Sequence, residues 1–185
     1  HGDAKVFIVD TQFSPTVKEA LIKLKKEILV IDIADPNAKL KASEGERLGK
    51  YSYEEFLERG DIDYQWKKPN DEWQAITLNY TSGTTGRPKG VVYHHRGSYL
   101  MSMGSVIAWN MPNHLKYLYT VPMFHCNGWG YPWTIAALAG TVVCCRYVVA
   151  RDIYNLIVDH KITHFGGAPV VLNLIANAPD NEMKK

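Results

Sequence analysis

The chain has 185 residues, 46% apolar and 22% charged, the proportions of a folded globular protein. They exclude a disordered tail, a collagenous repeat and a disulfide scaffold, and no apolar run reaches the ~18 residues of a membrane span. Lys and Arg total 21 against 19 Asp and Glu, a net charge of +2, and there is no basic cluster of the kind a nucleic-acid binder carries. At roughly 150 residues per domain, the length predicts one domain, or one with a small appendage.

The first elements read as a βαβ unit. Lys5–Val9 is a short apolar strand, Ser14 and Pro15 open a helix as N-cap and first helical residue, and Val17, Ala20, Leu21 and Leu24 keep helical spacing. Lys23, Lys25 and Lys26 sit on its solvated face. Glu27–Ile33 is a second, β-branched strand, at the spacing of a parallel crossover. Polar loops at 35–50 and 60–72 flank a short helix over 53–59, which Ser52 and Glu55 start as a capping box. The stretch 35–72 is a candidate lobe boundary.

Beyond Trp73 the pattern predicts a strand over 75–81, a glycine-rich loop over 82–90, a strand over 91–93 and a helix over 95–110. A strand over 115–121 leads into a loop over 122–128. A helix over 129–139 follows, with Pro132 in its first turn and Gly140 at its end. A strand over 141–149, a helix over 152–161, a strand over 162–165 and a helix from Pro169 to Ala178 complete the chain. Cys144 and Cys145 read as strand core. Alternating strands and helices predict an α/β layered sandwich with a largely parallel sheet flanked by helices. Ligands in such sheets bind at loops beyond the carboxyl ends of strands, which singles out 81–90 and 122–129.

Thr81-Ser-Gly-Thr-Thr-Gly-Arg-Pro-Lys-Gly90 carries hydroxyls at Thr81, Ser82, Thr84 and Thr85, glycines at Gly83, Gly86 and Gly90, the cations Arg87 and Lys89, and no acid. Glycine lets the backbone approach a ligand closely, and successive N–H groups make an anion-holding concavity. Hydroxyls and Lys89 complete a polyphosphate cradle. It is not a Walker A loop, which requires Gly-Lys-Ser/Thr after four spacer residues: Pro88 stands where the second Gly belongs, and Gly90 follows Lys89 where a hydroxyl is required. A loop without ligand is the plainer alternative for composition alone.

The ordered string Tyr80–Gly90 resembles the AMP-binding signature of the adenylate-forming (ANL) superfamily, which holds acyl-CoA synthetases, adenylation domains of peptide synthetases and luciferases. Pro122-Met-Phe-His-Cys-Asn-Gly-Trp129 resembles its aromatic-histidine motif beside the carboxylate pocket. With Trp129–Trp133 and Thr163–Pro169, the likeness is greatest to the medium-chain fatty-acyl-CoA ligase branch. The resemblance implies a two-step reaction using ATP, Mg2+ and CoA: the acid and ATP give acyl-AMP and pyrophosphate, and the CoA thiol then displaces AMP.

The resemblance also assigns residues. Thr81, Ser82, Gly83, Thr84, Thr85, Gly86 and Lys89 are expected to hold the phosphates, with Lys89 also catalytic. His125 is expected to orient the carboxylate. Trp129 lines the acyl pocket and, with Trp133 four residues on, lies on one helix face, Trp133 being core. Gly166–Pro169 resembles the adenine-contacting loop but more plausibly starts a helix at the edge of the acid or CoA channel. No metal-ligand set is implied here: His94 and His95 lack partners at ligand spacing and instead cap a helix. Cys126 and His125 do not form a nucleophile pair.

The first residues show no charged segment followed by an apolar one, so no signal peptide is expected, and three cysteines in this pattern fit a reducing, cytoplasmic setting. The chain is expected to be an incomplete part of the ANL N-terminal domain, inactive by itself, with the C-terminal domain absent. The motifs that supply the adenine-stacking aromatic, the Thr-Glu pair, the ribose-binding Asp and the adenylation Lys are not in it. An adenylating enzyme with another acceptor (a carrier-protein thiol, or an aryl-acid ligase) and a non-catalytic nucleotide- or acyl-binding module remain alternatives.

Overall fold

The computed structural model describes residues 2–82 and 86–184; Gly83, Thr84 and Thr85 lie outside the described residues. The chain divides into two units, His1–Lys67 and Lys68–Lys185.

In the first unit, β1 (Val6–Asp10) and β2 (Leu29–Ile33) pair in parallel, with Val6 opposite Leu29, and β3 (Tyr51–Ser52) pairs parallel on the far side of β2. The crossover is α1 (Ser14–Lys23). It starts earlier than expected, because the Asp10 carboxylate accepts from Gln12 N at 2.8 Å and opens a 3-10 turn over Thr11–Phe13. Phe13, not Ser14, is therefore the N-cap, and the buried Ser14 Oγ instead accepts from Glu46 N at 3.2 Å. The capping box forms: Ser52 Oγ accepts from Glu55 N, and Glu55 accepts from Ser52 N at 2.7 Å, starting α2 (Tyr53–Leu57). Backbone donation and Arg47 hold the Glu55 carboxyl below its ordinary range.

In the second unit, β4 (Ala75–Thr81) and β5 (Lys89–His94) form an antiparallel hairpin, with Thr81 opposite Lys89 and Tyr80 opposite Gly90. The glycine-rich segment is thus a hairpin connection rather than the exit from a strand of a parallel sheet. His94 caps α3 (His95–Ala108), its Nδ1 accepting from Gly97 N at 3.0 Å.

The parallel sheet of this unit has the order β7-β6-β8, from Thr141–Cys144, Lys116–Tyr119 and His164–Gly166. The central strand β6 feeds two cores by alternation. Tyr117 and Tyr119 pack with Leu115 and Ile135 on one face; Leu118 packs with Val143, Ile153 and Val171 on the other. Each fully buried aliphatic side chain here contributes about 1.5–3 kcal/mol. The covering helices are α5 (Tyr131–Ala137), α6 (Ala150–His160) and α7 (Pro169–Ala176), preceded by a one-turn segment, α4 (Cys126–Trp129). Strand β7 is shorter than its apolar run suggests. Cys144 is exposed at its end and Cys145 lies beyond it, half-buried, its thiol donating to Tyr147 O at 3.1 Å and pushed up by burial. Neither is strand core.

Candidate acid- and phosphate-binding site

At the end of the hairpin Thr81, Ser82, Arg87, Pro88 and Lys89 are exposed, and Gly86 takes φ 79°, with nothing among the described residues within 4 Å of the place a Cβ would occupy. Residues i and i+2 share a strand face, and directly opposed residues share it across the pair. Thr77, Asn79 and Thr81 of β4 therefore lie on one face with Tyr93, Val91 and Lys89 of β5. The cation and the first hydroxyl of the cradle stand side by side at the end of that face. Gly83, Thr84 and Thr85 lie outside the described residues.

The second segment is a turn of the opposite hand to an ordinary helix. Cys126, Asn127, Gly128, Trp129 and Gly130 all have positive φ, from 50° to 72°. Left-handed backbone costs a non-glycine residue roughly 1–2 kcal/mol, so surrounding contacts must hold it. They do. The buried Tyr119 hydroxyl donates to Gly128 O at 2.5 Å, and a Cβ on Gly128 would lie 1.8 Å from that hydroxyl. Gly130 lets Met101 of α3 approach, its sulfur 2.4 Å from where a Cβ would stand. Asn127 Oδ1 accepts from Asn79 Nδ2 at 2.6 Å. The neighbouring Cys126 side chain, together with burial, pushes the Tyr93 phenol up. Burial raises Tyr119 to about 12.

His125 precedes this turn as its exposed N-terminal residue, and its carbonyl accepts from Gly128 N at 2.9 Å. Its ring meets Trp129 edge to face, 5.7 Å between centroids. Two apolar grooves flank the turn. One, of about 680 Å3, is lined by Tyr117, His125, Trp129, Tyr131, Phe165 and Gly167, among others. The other, of about 430 Å3, is lined by Tyr93, Met101, Cys126, Trp129 and Trp133 with flanking residues of β5 and α3. Apolar grooves with a few polar groups suit an aliphatic or aryl chain, and His125 supplies a polar group to the larger one.

Trp129 is not on the helix of Trp133. It ends the left-handed turn at φ 61°, before α5 begins, and so contributes to both grooves. Trp133 lines the smaller groove as a half-buried residue and is not part of the core. Cys126 lines the smaller groove together with Tyr93, and no hydrogen bond among the described residues pairs it with His125 as a nucleophile. Among the described residues no cluster of three or more His, Cys, Asp or Glu side chains could hold a metal ion. Sequence reasoning missed Asn79, Tyr93 and Tyr119. The one available signal was Asn127 itself, a residue tolerant of left-handed backbone, placed beside Gly128.

A family model described as AMP-binding enzyme matches residues 1–185. The chain belongs to the AMP-binding enzyme family. Two relatives in that family are similar along nearly its whole length. A peroxisomal acetate/butyrate–CoA ligase of Arabidopsis thaliana is 44% identical over 98% of this chain and 33% of its own. An acetate–CoA ligase of Humulus lupulus is 46% identical over 98% of this chain and 34% of its own. The chain thus spans about a third of the length of the curated relatives it matches. Among solved structures, the inhibitor-bound N-terminal domain of FACL13 from Mycobacterium tuberculosis superposes with a TM-score of 0.74 at 22% identity, over 95% of this chain and 40% of that one. The likeness establishes the fold of an AMP-binding enzyme's N-terminal domain. Among the described residues, no helix is long and apolar enough to cross a membrane.

Proposed function

We propose that this protein is an ATP-dependent acyl-CoA ligase. In the first step a carboxylate oxygen attacks the α-phosphorus of ATP, and the bond from that phosphorus to pyrophosphate breaks. In the second, the CoA sulfur attacks the acyl carbon, the bond to AMP breaks, and the thiol proton passes to solvent. Two anions must meet in the first step, so positioning and charge neutralisation carry the catalysis. Thr81, Ser82, Gly86 and Lys89, with Gly83, Thr84 and Thr85, are the proposed phosphate contacts, and His125 is the proposed contact to the carboxylate. Trp129 is the proposed wall of the acyl groove. Mg2+ would arrive with ATP, and no step is assigned to a protein-bound metal.

The observation that carries this reading is that the hairpin bearing Lys89 is tied to the turn bearing His125 by the Asn79–Asn127 hydrogen bond. That link supports assigning the proposed phosphate cation and the proposed carboxylate histidine to one site.

For the acid, the names of the relatives above favour a short aliphatic chain, acetate to butyrate. The motif resemblance favours a medium chain and is kept as the second reading. We propose that these 185 residues do not turn over by themselves, because the adenosine-binding motifs of the family are not among them. The free cysteines suit a reducing compartment, and the cytoplasm is the proposed setting; fractionation into peroxisomes would correct that. The test is to supply the complete gene product with ATP, CoA and acids of increasing length and to detect the thioester. An optimum at acetate to butyrate supports the short-chain reading. A longer optimum supports the second, and adenylate without thioester moves the acceptor to a carrier protein.

A further inference from the structure

We propose that Asn79 is a positioning residue that couples acid binding to ATP binding, a role that rests on the ligase reading above. Asn79 is half-buried in β4. Its amide donates to Asn127 Oδ1 at 2.6 Å and to Thr77 Oγ1 at 3.2 Å, so both donor positions are spent inside the protein. The bond spans 48 positions in sequence and joins the two segments whose chemistry is complementary. On the same strand face, Thr81 lies two residues beyond Asn79 and Lys89 lies opposite Thr81. At about 3.4 Å per residue, the phosphate contacts therefore begin about 7 Å along the strand from the bond that anchors the acid turn.

The acceptor end is conformationally specific. Asn127 has φ 50° and ψ 45°, in the middle of the left-handed run, and from that backbone state its side chain reaches Asn79 of β4. Ordering of the hairpin by phosphate contacts at Thr81 and Lys89 is transmitted through Asn79 to the turn that carries His125 and Trp129. By linkage, ordering of the turn by an acid favours ATP to the same degree. The Tyr119 hydroxyl on Gly128 O and the close approach of Met101 at Gly130 keep the turn docked when the Asn79 bond is cut.

Asn127→Gly is the clean variant. Glycine keeps the left-handed backbone without strain and removes only the side chain. Asn79→Ala cuts the bond from the other end. The acid that gives the fastest ATP–pyrophosphate exchange with the complete gene product is titrated calorimetrically, with and without a non-hydrolysable ATP analogue. We expect the analogue to tighten acid binding in the wild type. In either variant that tightening should shrink about two- to tenfold, the value of one neutral hydrogen bond. Affinity for the analogue alone and the melting curve should stay close to wild type, and the double variant should be no worse than either single one. Equal tightening in wild type and variants overturns the proposal, as does a wild type without tightening. A wild type that exchanges with no acid removes the ligase reading itself, a distinguishable failure.

Discussion

The two segments that frame the site are built on opposite plans. The described residues of the hairpin loop are exposed, and among the described residues none lies close to Gly86 where a Cβ would stand. The turn at 126–130 also departs from ordinary backbone, but it is gripped by Tyr119, Asn79 and Met101. One segment leaves its polar groups exposed. The other spends them on the protein, beside the exposed His125 and Trp129. The proposed ligase site, which would accept ATP, release pyrophosphate and hold an acid throughout, would be served by that division.

Equivalent substitutions should separate the two plans. Gly128→Ala should be the most damaging, destabilising the protein by about 3–5 kcal/mol in denaturant unfolding, because the new Cβ meets the Tyr119 hydroxyl and the left-handed backbone is strained as well. Adding Tyr119→Phe should recover part of the loss by removing the colliding atom. If Gly128→Ala is neutral, the turn is not gripped as described. Lys89→Ala should leave the fold intact and slow adenylation by about 10- to 150-fold, the value of a charge-assisted contact of about 1.5–3 kcal/mol. Adenylation at the wild-type rate would remove Lys89 from the site.

A pH experiment sharpens the same comparison. Tyr119 has its phenol raised to about 12 from the ordinary 10. The neutral form is thus favoured by folding, its contribution is full below pH 10, and it is lost as pH rises toward 12. That contribution is on the order of 2 kcal/mol. It should vanish in Tyr119→Phe, which can be read from unfolding midpoints across that window. His125→Ala should slow acid activation by roughly an order of magnitude, a loss of about 1.4 kcal/mol, with no change in melting. An unchanged acid-dependent rate would make His125 merely a loop residue. The smallest effect is expected for Gly86→Ala: its φ of 79° costs about 1 kcal/mol, but nothing among the described residues lies within 4 Å to collide.

Much of this was legible in the residues, for reasons that differ between elements. Periodicity marked the βαβ unit and the 75–81 strand, and the Ser52–Glu55 capping box forms as its spacing implies. The Tyr80–Gly90 string marks the family to which the chain belongs, while the phosphate contact that its glycines, hydroxyls and lysine suit is a proposal. The same string hid its architecture, since a loop between parallel elements and a hairpin connection have the same turn composition. The sequence pattern predicts a loop to residue 128 and a helix from Trp129, with Trp129 and Trp133 on one face, whereas Trp129 belongs to the left-handed turn and α5 starts at Tyr131. Two glycines that tolerate positive φ, and the tertiary contacts that enforce it on Cys126, Asn127 and Trp129, overrode that spacing. Cys144 and Cys145 looked like core because the apolar run continues past the point where β6 stops offering a pairing partner. The Asn79–Asn127 bond has no local signature, since its partners come together only in the folded unit.

The most direct measurement is carboxylate-dependent ATP–pyrophosphate exchange by the complete gene product without CoA, run beside Lys89→Ala and His125→Ala. The account predicts exchange only when an acid is present, with a chain-length optimum, and a marked loss in both variants while the protein stays folded. Exchange with no acid in the panel, or exchange unaffected by both substitutions, would contradict a site built from these two segments.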